Sequence, residues 1–90
     1  MNKNELVSAV ADMSNLSKTD ASSAVDAVFD VITRELKAGG DVRLVGFGNF
    51  SVNRREASTG RNIRTGETVQ IAARNVPKFA AGKGLKDAVN

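Results

Sequence analysis

The chain has 90 residues, 13 Lys and Arg against 10 Asp and Glu, and neither Cys nor His. That composition excludes a disulfide framework and the usual zinc or thiolate chemistry, so no metal, cofactor or redox role is expected. A single domain of this length buries only ~60 to 65% of its unfolded surface, a marginal core that a partner subunit would reinforce.

Asn2 followed three residues later by Glu5 is a capping-box pattern, and Leu6, Val7, Val10 and Met13 then recur at helical spacing, which predicts a helix over about 3–13. Ser17 and Asp20 repeat the start signal. Ala21, Val25, Val28, Phe29, Ile32 and Leu36 keep an apolar stripe until Gly39-Gly40, which predicts a second helix over about 18–38. Ala24 and Val31 widen that stripe beyond what one short neighbouring helix covers, so part of it is expected to face another subunit.

After the glycine pair the period becomes alternating. Val42 and Leu44 flank Arg43, Gly46-Phe47-Gly48 makes a turn, and Phe50 and Val52 alternate with Ser51 and Asn53, the pattern of a β-hairpin. From Asn53 to Thr68 only Ala57 and Ile63 are apolar. Val69 and Ile71 then resume alternation up to a break at Val76-Pro77, and Gly82 opens a short helix with Leu85, Ala88 and Val89 on one face. The order is α, α, β, β, arm, β, α, without a linker or an internal repeat: an α+β domain spanning 1–90, with a helical part (1–41), a sheet (42–79) bearing an arm at about 53–74, and a C-terminal helix (80–90).

Charge divides the same way. Residues 1–41 hold four basic groups (Lys3, Lys18, Arg34, Lys37) and seven acidic ones, a balance of −3, whereas residues 42–90 hold nine basic groups and three acidic ones, a balance of +6. The basic half is the one that should face a polyanion. Six of its nine cations are Arg, which favours forked contacts to phosphate.

Ser58-Thr59-Gly60-Arg61-Asn62-Ile63-Arg64-Thr65-Gly66-Glu67 reads as a basic hairpin tip with one exposed aliphatic residue at its centre. Composition alone equally fits a solvated loop. Arrangement argues for a ribbon: Arg54, Arg55, Arg61, Arg64 and Arg74 lie along it, and Gly60 and Gly66 flank the tip where a tight reversal needs positive φ. Such a ribbon can track a groove, its arginines reaching phosphates and Asn62 reaching the minor-groove acceptors. Ile63 then suits insertion between base steps, although isolated exposed aliphatics are also ordinary surface residues.

Other signals are weaker. Gly82-Lys83-Gly84 and Gly46-Phe47-Gly48 lack the spacing and ending of a P-loop and read as a helix start and a turn. Phe47, Phe50 and Phe79 fit core packing better than a base-stacking platform, because alternation puts Phe50 on the apolar face. Carboxylates on helical surfaces, with no His or Cys beside them, argue against an enzyme. No stretch approaches membrane-spanning length and no signal-peptide pattern is present, so a cytoplasmic protein without a membrane partner is expected.

Three motifs together resemble the HU branch of the bacterial HU/IHF nucleoid-associated, histone-like proteins: Val42-Arg43-Leu44-Val45-Gly46-Phe47-Gly48-Asn49-Phe50, the tip Gly60-Arg61-Asn62 with Thr65-Gly66, and Asn75-Val76-Pro77 with Phe79 through Gly82-Lys83, Leu85-Lys86-Asp87-Ala88-Val89. The resemblance covers all 90 residues. It implies an intertwined homodimer with a helical base, sheets forming a saddle, and two β-arms that bend and compact duplex DNA from the minor groove with little sequence preference. Because wedge insertion must unstack a base step, nicked, gapped or bent DNA would be preferred, and RNA stays open as an alternative ligand. Arg55, Arg61 and Asn62 would be arm contacts, Lys3, Lys83 and Lys86 body contacts. Two positions depart from the family: Ile63 stands where proline is characteristic, and Ser58 where a basic residue is frequent. Proline would preorganise the tip, so with Ile63 bending is expected to survive with a less sharply defined kink. A site-specific IHF-type subunit and an RNA chaperone are the alternative readings.

Overall fold

The computed structural model describes residues 1–90 and divides them into two compact units, Met1–Glu35 and Leu36–Asn90. The first unit is helical. Helix α1 (Lys3–Ser14) starts where Asn2 accepts the Glu5 N–H at 2.9 Å, and α2 (Lys18–Lys37) starts where Ser17 Oγ accepts the Asp20 N–H at 3.1 Å. Both side chains satisfy helix-end donors, as the sequence pattern requires. The end of α1 has a cause not anticipated from sequence: Asn15 adopts the left-handed conformation at φ 60, and the Leu16 N–H closes back to the Ala11 carbonyl at 3.0 Å. Asn tolerates that backbone better than most residues.

Val7 and Ala11 of α1 and Ala21 and Val25 of α2 are the buried residues, with Leu6 and Val10 packed against them. Alanines at the contact let helices approach closely, while each buried valine supplies roughly 1.5 to 3 kcal/mol of burial. This core is small. Val28 (54% exposed), Phe29 (48%) and Val31 (56%) remain uncovered on α2, and Leu6, Val10, Ala24, Val25, Val28 and Phe29 line an apolar groove.

The second unit holds an antiparallel sheet of order β1-β2-β5, from β1 (Val42–Leu44), β2 (Gly48–Arg55) and β5 (Arg74–Ala81). Register sorts its faces. Val42, Phe50 and Phe79 align across one face with the Val52 and Pro77 pair, and Phe79 lies 4.8 Å from Phe50 and 5.8 Å from Phe47 between ring centroids. Phe79 therefore packs against both other rings, but Phe47 (48% exposed) and Phe79 (41%) remain at the surface, so the rings cover one another without forming the buried core expected of them. The predicted break at Val76-Pro77 is not there: β5 runs through Pro77, opposite Val52. As an outer strand, β5 can accommodate a residue without an N–H, which a central strand could not.

The interruption lies elsewhere. Pairing of β2 with β5 ends at Arg55 and Arg74, and residues 56–57 and 72–73 are unpaired before β3 (Ser58–Arg61) and β4 (Thr68–Ile71) resume as a separate two-stranded ribbon. The predicted arm is thus two ribbon segments joined by a gap of two residues on each side.

The two glycine motifs dismissed as phosphate cradles meet each other. Gly46, at φ 81, turns β1 into β2; its carbonyl accepts the Leu85 N–H at 2.9 Å and the Phe47 carbonyl accepts the Gly82 N–H at 2.8 Å. These bonds fasten the turn to α3 (Lys83–Ala88). A Cβ at Gly84 would stand 2.6 Å from the Gly46 carbonyl oxygen, so only glycine permits this approach. No helix is long and apolar enough to cross a membrane.

Candidate nucleic-acid interface

The tip is closed by backbone bonds. The Asn62 N–H donates to the Glu67 carbonyl at 2.8 Å, and the Gly66 N–H donates to the Asn62 carbonyl at 2.7 Å. Gly66 lies at φ 70, as the tight reversal requires. Gly60 does not share this role. It sits inside β3 opposite Val69, with no positive φ, and a Cβ there would meet Ile71 Cδ1 at 3.3 Å; its missing side chain makes room for Ile71 across the ribbon.

Side chains stiffen the same loop. Asn62 Oδ1 accepts the Arg64 N–H at 2.9 Å and Thr65 Oγ1 accepts the Glu67 N–H at 3.3 Å. The Asn62 oxygen is committed to the loop, which leaves its amide N–H groups as the donors available to a ligand. Ile63 is 99% exposed at the apex, between Arg61 and Arg64. An aliphatic side chain displayed this fully gains nothing from the protein's own packing.

Along the β2-β5 segment the arginines divide by face. Arg55 and Arg74 are direct cross-strand partners, on the face that also carries Arg43 and the Ser51 and Lys78 pair, whereas Arg54 pairs with Asn75 on the phenylalanine face. The five arm arginines therefore do not form one row. Arg54 is also engaged, its Nε 3.0 Å from Glu56. Arg43 and Lys78 were not singled out from sequence; Lys78 follows Arg74 by four residues, so two-residue alternation along β5 was the available signal for it, whereas Arg43 reaches this face only through its register with Asn49. Arg43 Nε contacts Asp41 at 3.2 Å.

Among the body lysines, Lys83 and Lys86 lie on α3, where Lys83 Nζ reaches Asp87 at 2.9 Å. Lys3 belongs to the helical unit, its Nζ 2.6 Å from Asp26. The hydrogen bond and charge of Asp26 raise the Lys3 pKa above its ordinary 10.5. Ion pairs thus occupy Lys3, Arg43, Arg54 and Lys83, while Arg55, Arg61, Arg64, Arg74, Lys78 and Lys86 are in none of them. Lys18, Arg34 and Lys37 on α2 are outside them too; beyond α2, every unpaired cationic side chain except Lys86 lies on the arm or the sheet face beside it.

A fold of capped helices, a three-stranded antiparallel sheet and a basic ribbon with an aliphatic tip defines a class of bacterial chromosome-associated domain, and comparison with known proteins places the chain within it. It belongs to the bacterial DNA-binding protein family, whose profile matches residues 1–90. It is 78% identical over 90 residues to DNA-binding protein HRm of Rhizobium meliloti (strain 1021), covering all of both chains, and 60% identical over 89 residues to DNA-binding protein HU of Geobacillus stearothermophilus, covering 99% of each. Among solved structures, an Anabaena HU–DNA cocrystal structure aligns at TM-score 0.88 and 42% identity over 99% of this chain and 97% of that one. HU from Thermotoga maritima aligns at TM-score 0.70 and 31% identity over the whole of both. Membership bears out the resemblance, the α+β architecture and the expectation of a non-enzyme.

Proposed function

We propose that the chain is a non-sequence-specific architectural protein that acts as a homodimer, binds duplex DNA from the minor groove through its arms, and bends and compacts it in the cytoplasmic nucleoid. The observation that carries this reading is the tip: Ile63 fully exposed between Arg61 and Arg64, on a loop fixed by four hydrogen bonds and a left-handed glycine. Ile63 is the wedge between base steps; Asn62 donates to the acceptors on the groove floor; Arg55, Arg61, Arg64 and Arg74 neutralise phosphates. Lys86 extends the contact along the body, as do Lys83 and Lys3 once drawn from Asp87 and Asp26, and Arg54 adds to the arm once drawn from Glu56. The uncovered Val28, Phe29 and Val31 on α2 support the homodimer.

Affinity on this reading comes mainly from counterion release, log K falling against log salt by ~0.9 per phosphate contacted. Wedge insertion opposes it by a few kcal/mol per unstacked step, a cost that a nick or a gap has already met. Electrophoretic shifts of intact duplex, nicked duplex and structured RNA of equal length test this. Nicked duplex is expected to bind at least ~10-fold more tightly than intact. Equal affinities would remove the wedge role, and tighter binding to structured RNA would move the protein to the chaperone class.

A further inference from the structure

We propose that Arg55 and Arg74 form a two-arginine clamp that seats one backbone phosphate where the arm's ribbon opens, an inference that rests on the DNA-binding reading and specifies how the arm is gripped at its base. The two residues are the last pair of the β2-β5 ladder, directly opposite each other and on the same face. Like charges directly opposite on a sheet repel, and such a pair persists unneutralised only at a cost. The one carboxylate that lines a cleft with them is paired with another arginine. Neither guanidinium is in an ion pair, and the nearest carboxylate in sequence, Glu56, is held by Arg54 at 3.0 Å.

Beyond the pair the ladder stops, because residues 56–57 and 72–73 are unpaired. The gap forms an open cleft of about 330 Å³ lined by Arg55, Glu56, Ser58, Ile71, Ala72 and Arg74. With the Glu56 carboxylate engaged by Arg54 at 3.0 Å, the donors this cleft turns to an anion are the two guanidiniums and the Ser58 hydroxyl, and the two non-bridging oxygens of a phosphodiester let each arginine take one oxygen in a charge-assisted bond. Seating the phosphate removes the repulsion within the pair. It also ties the strands together at the gap, so that the distal ribbon is held against the duplex.

The salt dependence of DNA affinity for Arg55→Gln, Arg74→Gln and the double variant tests the clamp, with circular dichroism confirming that each is folded. If both arginines share one phosphate, either single variant keeps it neutralised and leaves the slope of log K against log salt unchanged, while the double variant lowers it by ~0.9. Slopes lowered by ~0.9 in each single variant and ~1.8 in the double would place the arginines on separate phosphates and overturn the clamp. A slope unchanged in all three would overturn it as well. Failure of the native protein to shift DNA at any salt is a different result, the failure of the DNA-binding reading, and the clamp falls with it.

Discussion

The two units of this chain divide labour in a way their composition already hints at. Residues 1–35 hold three basic and six acidic side chains, together with all four of the buried aliphatic residues; residues 36–90 hold ten basic and four acidic side chains and none of the buried aliphatics. One unit is built around a small apolar contact. The other is held by strand pairing, by the tilted ring contacts of Phe79 with Phe47 and Phe50, and by backbone bonds from the Gly46 turn to α3. The lesson is that stability and charge are kept apart: arginines crowded on a ribbon would weaken any core they lined, and a ribbon that must reach around a ligand cannot be buried.

That comparison can be broken at the helical unit with the largest expected effect. Phe29→Asp places a charge on the apolar face of α2, and burying an uncompensated carboxylate in a subunit contact costs several kcal/mol. For the homodimer proposed above, sedimentation is expected to show loss of association, and circular dichroism loss of helix. A variant that stayed folded with unchanged mass would mean that this face is a solvated surface.

An intermediate effect is expected in the sheet unit. Gly84→Ala forces a Cβ against the Gly46 carbonyl oxygen, at 2.6 Å if nothing moves, and overpacking of this kind costs roughly 1 to 3 kcal/mol. Thermal unfolding should fall by about 4 to 8 °C per kcal/mol for a chain of this size. A melting temperature equal to the native one would show that α3 is not fastened through the turn.

The smallest effect belongs to the ion pair of Lys3 with Asp26. Both partners are exposed, so Asp26→Asn should leave the melting temperature nearly unchanged while raising DNA affinity no more than a few-fold by freeing Lys3. Because Asp26 raises the Lys3 pKa above 10.5, the pair's contribution to stability is fully present below that value and is lost as pH rises through the higher folded value. Stability of native protein and variant, measured by denaturant titration, should therefore differ by a constant amount between about pH 6 and 9. A difference that changed across that window would mean another group controls Lys3.

Much of the architecture was legible because its signals are local. Asn2 and Ser17 mark helix starts that hydrogen bonds then realise, and the shift from 3.6-residue to two-residue periodicity after Gly39-Gly40 separates helices from strands. What stayed illegible depends on partners distant in the chain. Alternation shows that Arg54 and Arg55 point to opposite faces, but only the register with β5 brings Arg55 to Arg74 and adds Lys78 to their face. The gap at residues 56–57 and 72–73 has no punctuating Gly or Pro, and Pro77, which looked like a stop, is tolerated because β5 turns out to be an outer strand. Gly60 was misread for a related reason: its role is room for Ile71, a cross-strand contact invisible in a ten-residue window. The ion pair holding Lys3 joins two helices and was equally hidden.

The central claim is that the arginines supply affinity while Ile63 supplies the bend. Fluorescence transfer across a doubly labelled intact duplex, recorded with native protein and with Ile63→Ala through a salt titration, separates the two. The account predicts a smaller bend for Ile63→Ala with the salt slope unchanged, since no phosphate contact is lost. An undiminished bend, or a bend that fell only together with the slope, would contradict it.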